Sequence, residues 1–380
     1  MAYSILKYLR FIIRYEVGMK ILDWYIIKKF LGTFFYTVVI FTVVSVVINV
    51  SERVDYFIRA KLTVNEIFFD YYVHFVPWIN GLLWPLFALI SVIFFTSRMA
   101  RDSEIITMLN AGMDFKRVLK PMVISALFIS ALLWVGNNYV IPLSTKKKVE
   151  FESEYFKKSN RRVLTNNLHW FISENEKIFC RHYRTKDSTV QTFRLERYSE
   201  FGKLESVFKA RSLKFKSAPS TWEAEDYELR KFIGTDNFSS DFSRGKMDTT
   251  IALYPDDFVT HTKQMEMMVT SDLKDLIITE KSRGLGNTKK YEIELYRRTS
   301  DPFSVIILTL IGGCLASRKI RGGLGFHLAA GIGLGALFVV ISKFTVTFAT
   351  NLNMQPVLGC WLPNILFGVV CFYLYKWAQS

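Results

Sequence analysis

"RMARDSEIITMLNAGMDFKRVLKP", residues 98–121, separates two stretches apolar enough to cross a bilayer. A plain connection between membrane helices needs only a handful of residues. This one carries a helical pattern, acidic side chains and a glycine stop. Asp102 or Ser103 can accept the first free N–H groups of a helix running "SEIITMLNA". Gly112 offers the left-handed C-terminal cap that a side chain with a Cβ disfavours. Asp114 can then cap the next helix. The segment reads as a separate helix of about three turns at the membrane surface. Ile105, Met108 and Leu109 form its apolar stripe. Glu104 is a lone carboxylate at its N-terminal end, where the helix dipole favours negative charge. A helix resting on lipid would present basic residues on its polar face. This face presents Asp102, Glu104, Thr107 and Asn110, which suit an arginine-bearing protein surface instead.

Working outward, about 20 apolar residues cross a hydrocarbon core roughly 30 Å thick. Runs of that kind cover residues 30–50, 73–97 (with Pro77 and Pro85), 121–141, 302–316, 324–350 and 356–374. The fold class expected is an α-helical membrane protein with six transmembrane helices, three on each side of an inserted β-domain of sandwich or jelly-roll type. The chain then divides into an N-terminal stretch 1–29, spans one to three over 30–142 with the short helix at 102–112, the insert 143–301, and spans four to six over 302–380. Half of all residues are hydrophobic (50%), a profile that argues against a soluble enzyme.

Lysine and arginine in short loops set the orientation. One side collects Lys7, Arg10, Arg14, Lys20, Lys28, Lys29, Arg98, Arg101, Lys116, Arg117, Lys120, Arg318, Lys319, Arg321 and Lys376. Those fifteen face only Glu16, Asp23, Asp102, Glu104 and Asp114. The other side offers Arg53, Arg59 and Lys61 against Glu52, Asp55, Glu66 and Asp70. Both termini are therefore expected in the cytoplasm and the insert outside. Most of the net charge of +15 then meets anionic lipid headgroups, and no nucleic acid is needed to explain it. Residues 1–18 place Lys7, Arg10 and Arg14 on one helical face, as in an interfacial helix. The alternative is a start at Met19.

Within the insert, "STKKKVEFESEYFKKSNRRV" continues span three outward. "LHWFIS", "KIFCRHY", "TVQTFRLERY", "RSLKFKSA" and "WEAEDYELRKF" alternate as strands between turn-prone residues. Ser271 can cap a helix over "DLKDLIITEKSR" that Gly284 ends, and "KKYEIELYRRTS" leads into span four. Cys180, Cys314, Cys360 and Cys371 form no disulfide or metal-binding pattern, and the five histidines stand at no ligand spacing. His169 reads as a strand residue rather than a catalyst. No catalytic residue and no metal site is assigned.

Several segments in order resemble the LptF/LptG permeases of the lipopolysaccharide-export ABC transporter. They are "MKILDWYIIKKFLGTF", "RDSEIITMLNAGMDFKRVLKP", "NLHWFIS", "ERYSEFGKLESVFKARSLKFKSAPSTWEAEDYEL", "YPDDF", "SDLKDLI", "YEIELYRRTSDPFSVIIL" and "WLPNILFG". The resemblance implies an inner-membrane subunit whose insert is a periplasmic β-jelly roll joining LptC/LptA-like bridge proteins. It implies that Glu104, Arg101, Ile105, Met108, Leu109 and Gly112 form a coupling helix docked on a cytoplasmic LptB-like ATPase dimer. A paired LptF/LptG-type permease would complete a chamber for lipopolysaccharide. The chain is expected to need no cofactor of its own, with ATP and magnesium held by the ATPase. "GLGNTKK" lacks the spacing of a phosphate-binding loop.

Lipid A is anionic, so Arg53, Arg59 and Lys61 at the outer mouth and Lys343 in span five are candidate substrate-path residues. A solvated loop and a lysine snorkelling to headgroups are the alternatives. Gly312, Gly313, Gly331, Gly333 and Gly335 permit close helix approach. A membrane enzyme acting on envelope lipids is the rival reading; it needs clustered His, Asp or Ser near a membrane face. A mere tether leaves the basic loops and the capped helix unexplained.

Overall fold

The structure is a computed structural model that describes residues 21–156, 161–163, 166–173, 175–184, 187–199, 201–217, 220–233, 237–255, 259–261, 264–282, 288–318, 323–352 and 354–379. The helix expected over residues 1–18, the stop at Gly284, and Lys319 and Arg321 lie outside these. In chain order the elements are α1 (Ile21–Arg59), α2 (Val64–Arg101), α3 (Glu104–Asn110) and α4 (Phe115–Tyr155). Strands follow: β1 (Arg161–Val163), β2 (Asn166–Ser173), β3 (Glu176–Arg184), β4 (Thr189–Tyr198), β5 (Leu204–Ser217), β6 (Thr221–Ile233), β7 (Asn237–Thr250) and β8 (Val259–His261). Then come α5 (Gln264–Met267), α6 (Thr270–Ser282), α7 (Lys289–Ala316), α8 (Gly323–Asn351) and α9 (Pro356–Gln379). The chain forms two compact units, Val149–Tyr291 and the segments on either side of it.

In the helical unit, α1, α2, α4, α7, α8 and α9 are each long and apolar enough to cross a membrane. Helix α2 is the hub. Its Leu86, Leu89, Val92 and Ile93 fill notches left by missing side chains on two neighbours. A Cβ on Gly312 of α7 would stand 2.5 Å from Val92, and one on Gly335 of α8 would stand 2.6 Å from Leu86. A Cβ on Gly331 would overlap Ile93. Gly333 faces open space, so it does not share the packing role expected for it. Helix α1 is different. Only 11% of its most apolar window is buried, against 61% for α7. Its buried residues are Asp23, Ile26, Ile27, Phe30, Phe34 and Thr37 in the first half, with Phe57 near the end. The apolar stretch between them faces outward, as lipid-exposed or partner-covered surface would. Both α2 and α4 contain a π-helical turn, at Ile67–Tyr72 and Gly136–Val140.

In the second unit the strands of the main sheet pair in sequence order, β2-β3-β4-β5-β6-β7, all antiparallel, and β1 pairs separately with β8. One face carries the core, including Ile178, Cys180, Val190, Phe193, Leu213, Trp222 and Leu253. Strict alternation would repeat every two residues. Here the core-facing positions step by three across four adjacent strands: Cys180 to Tyr183, Val190 to Phe193, Ala210 to Leu213, Ala224 to Tyr227. Thr192 (φ 54) and Asp226 (φ 51) lie within two of those steps and turn the pleat over. Trp222, fully buried, donates its indole N–H to the Leu253 carbonyl at 2.9 Å and packs edge-on to Phe215. His169 sits in β2 with its ring against Phe179, as a strand residue. Helix α6 begins at Thr270, one residue before the expected cap, and the Ser271 hydroxyl donates to Asp272 instead.

Two outcomes test this packing. A Cβ on Gly359 of α9 would collide with Ala349 of α8 and stand 3.2 Å from the Thr345 carbonyl. Gly359→Ala should therefore cost about 1–3 kcal/mol, as overpacking does. Ala349→Gly in the same chain should recover much of the loss, read by thermal unfolding in detergent. Burial pushes the Cys180 thiol up to about 12, so almost no thiolate exists at pH 8. Maleimide should modify Cys180 only after denaturation, with peptide mapping to locate the label.

Candidate functional site

The site is built around α3, and its boundaries differ from the sequence expectation. Helix α2 ends at Arg101 with Asp102 as its C-cap, and Ser103 adopts a left-handed conformation (φ 60) that turns the chain sharply. No side-chain cap forms at Ser103, nor at Asp114 before α4, although Asp114 holds the expected N-cap position. The kink at Ser103 leaves seven helical residues, about two turns rather than three. The C-terminal end is as expected. Gly112 sits at φ +81, its N–H reaches the Leu109 carbonyl at 3.0 Å, and the Met113 N–H reaches Met108 at 3.2 Å. That pair of bonds is a Schellman motif, and Met108 and Met113 both pack on the core beside it.

The apolar stripe divides. Ile105 is buried at 1% exposure in the core that also holds Phe115, Val118, Leu119 and Met122 of α4. Met108 packs against the same core, whereas Leu109 and Ile106 remain 38% and 39% exposed. Ile105 and Met108 therefore anchor α3 to its own bundle. Ile106, Thr107, Leu109 and Asn110 form the outward surface. Ile106 escaped the sequence reading because it stands outside the Ile105–Met108–Leu109 spacing.

Glu104 is not a lone carboxylate. Lys29 of α1 stands 3.2 Å from its Oε1, and the Tyr25 hydroxyl donates to both oxygens at 3.1 and 3.0 Å. Lys29 also donates to the Tyr25 hydroxyl. Two carboxylate oxygens offer about four acceptor positions, and the Glu104 side chain keeps 29% of its surface. Lys29 also reaches Oε2 at 3.5 Å, so Lys29 and Tyr25 each bridge both oxygens of this partly exposed side chain. Beneath this group, Arg117 of α4 grips Asp23 of α1 with two parallel bonds of 2.7 and 2.6 Å. Asp23 is almost wholly buried, at 4% exposure. Arg101 is exposed and pairs with its neighbour Asp102 at 3.1 Å, with Arg98 4.0 Å from the same carboxylate. Tyr25, Lys29, Asp23 and Arg117 were missed as site residues. The available signal was Asp23 as the one acid among Lys20, Lys28 and Lys29, and the Tyr25/Lys29 spacing of four.

The candidate substrate-path residues come from two helices, α1 with the turn after it and α8. Arg53 is half-buried near the far end of α1 with its guanidinium 5.8 Å from the Tyr56 ring. Arg59 ends that helix, and Lys61 follows in a left-handed turn (φ 54), both exposed. Lys343 is exposed on α8, a different helix.

Compared with known families, residues 24–377 match the lipopolysaccharide export system permease LptF/LptG. Among curated proteins nothing matches.

The ion pairs Asp23–Arg117 and Arg101–Asp102 differ in burial and should differ in consequence. Removing one partner of a buried pair costs about 3–5 kcal/mol. Arg117 keeps 27% of its side-chain surface, so Arg117→Gln should cost about 2 kcal/mol. Arg101→Gln, at an exposed pair, should fall within about 0.5 kcal/mol of the parent. Thermal unfolding of the detergent-purified variants checks both.

Proposed function

The chain belongs to the LptF/LptG family of lipopolysaccharide export permeases, and from that premise we propose that it is the permease subunit of an ABC transporter. In this reading it extracts lipopolysaccharide from the bacterial inner membrane and passes it to a periplasmic bridge. A separate cytoplasmic ATPase, an LptB-like dimer, supplies the energy and holds ATP and magnesium. A paired LptF/LptG-type permease completes the lipid chamber. The termini lie in the cytoplasm and the β-unit in the periplasm, where it meets LptC/LptA-like partners.

One observation carries the reading: a short helix between two spans, pinned by Ile105 and Met108, with Ile106 and Leu109 left bare beside a carboxylate. A surface of that kind suits a groove with apolar walls and a basic residue at its rim. Glu104 stands at the edge of the exposed patch and keeps part of its surface open toward that residue. Gly112 fixes where the helix stops, and Arg101 adds charge on the membrane side. The basic loops on this side support a cytoplasmic location. Hydrolysis reaches the spans only through a stiff contact, and α3 is rooted in the same core as α2 and α4. The lipid's anionic groups would meet Arg53, Arg59 and Lys61 at the far end of α1, and Lys343 on α8.

Glu104→Ala tests the docking role. Losing a charge-assisted hydrogen bond costs about 1.5–3 kcal/mol, equivalent to an affinity lower by about 10- to 150-fold. Copurification of the ATPase, or ATP-coupled export, should fall accordingly while membrane insertion stays intact. Unchanged copurification and export would contradict the docking role.

A further inference from the structure

Helix α1 is held differently at its two ends. Its buried side chains, Phe57 apart, are confined to the first seventeen of its 39 residues. At that base it carries two charged ties, Asp23 to Arg117 of α4 and Lys29 to Glu104 of α3. Farther along, it meets α2 through neutral hydrogen bonds, Thr42 to Asn80 at 2.9 Å and the Tyr72 hydroxyl to Asn49 at 3.2 Å, and through buried Phe57, packed edge-on against Tyr71 and Tyr72. The base is thus bound by geometry-specific, partly desolvated ion pairs, and the far half by aromatic packing and neutral hydrogen bonds. At 1.5 Å per residue, Arg53 stands about 45 Å along the helix from Asp23. A tilt of about 5° at the base would therefore displace the far end by about 4 Å. Asp23–Arg117 is the stiffer of the ties, because a guanidinium holding both carboxylate oxygens fixes direction as well as distance. It joins α1 to the first turns of the helix that follows α3 directly, across the two residues Met113 and Asp114 between the Gly112 cap and α4.

We propose that Asp23 and Arg117 are positioning residues, the tie through which displacement of α3 reaches α1. The Lys29–Glu104 tie serves the same end from the other side of the base. This rests on the permease reading above, and the experiment separates the two. Asp23 and Arg117 are not part of the exposed docking face, so their loss should leave ATPase binding in place.

The test uses the complete transporter, chain plus ATPase plus paired permease, in proteoliposomes containing lipopolysaccharide. For Asp23→Asn, the ATPase should copurify as with the parent, while lipid released per ATP hydrolysed falls about fivefold or more, the lower edge of ordinary coupling. The exchanged pair Asp23→Arg with Arg117→Asp should recover that ratio, which a general loss of stability would not allow. Should the exchanged pair fail to fold, a spectroscopic measurement decides. With spin labels at Asp55 on α1 and Asn65 on α2, nucleotide should change the distance in the parent and much less in Asp23→Asn. An unchanged release ratio in Asp23→Asn, or an equal distance change in both proteins, overturns the proposal. Loss of the ATPase from Asp23→Asn also overturns it, by placing the pair in docking. If the parent chain itself fails to bind an ATPase, the permease reading fails instead.

Discussion

A seven-residue helix has almost no stability of its own in water, where isolated helices below about 12–15 residues are marginal. Helix α3 therefore exists because Ile105 is sealed in the core of the bundle and Met108 leans on it. Everything assigned to this chain depends on that burial. A helix held only by propensity would melt when a partner pulled on it. One whose anchor is shared with Val92 of α2 and Leu119 of α4 moves as part of the bundle. The Schellman end at Gly112 and the left-handed turn at Ser103 then fix its length from both sides.

The ion pairs around α3 give it direction. Glu104 is held by Lys29 and Tyr25, and Asp23 by Arg117, so the start of α1 is fastened both to α3 and to α4. Buried charge of this kind is weak evidence for stability, since apolar replacements often serve as well. Its use here is orientation. The bidentate pair permits one geometry between α1 and α4. In the β-unit the same economy appears differently: the core side of four strands turns over together near Thr192 and Asp226, which keeps a single apolar face continuous through a change of phase.

What the sequence made legible follows the range of each interaction. The six spans were readable because hydropathy acts locally, and each expected run falls inside an observed helix. Alternation found β2, β3, β4 and β6, and about half of β5, whose earlier residues "LESVFKA" lie before the run that was recognised. Strand β7, "NFSSDFSRGKMDTT", was invisible because an edge strand with little burial has no hydrophobic period to detect. In α3 the caps were placed within a residue or two, but the left-handed Ser103 shortened the helix, and no local pattern signals a strained serine. The ion pairs were missed for a simpler reason. Lys29 and Glu104 are 75 residues apart, Asp23 and Arg117 are 94 apart, and only tertiary structure brings them together.

The central claim is that the bare face of α3 is gripped by a cytoplasmic ATPase. A photoreactive amino acid in place of Leu109, activated in native membranes, tests it most directly. The account predicts a covalent adduct between this chain and the ATPase. Adducts confined to lipid, or to proteins on the side of the β-unit, would contradict it.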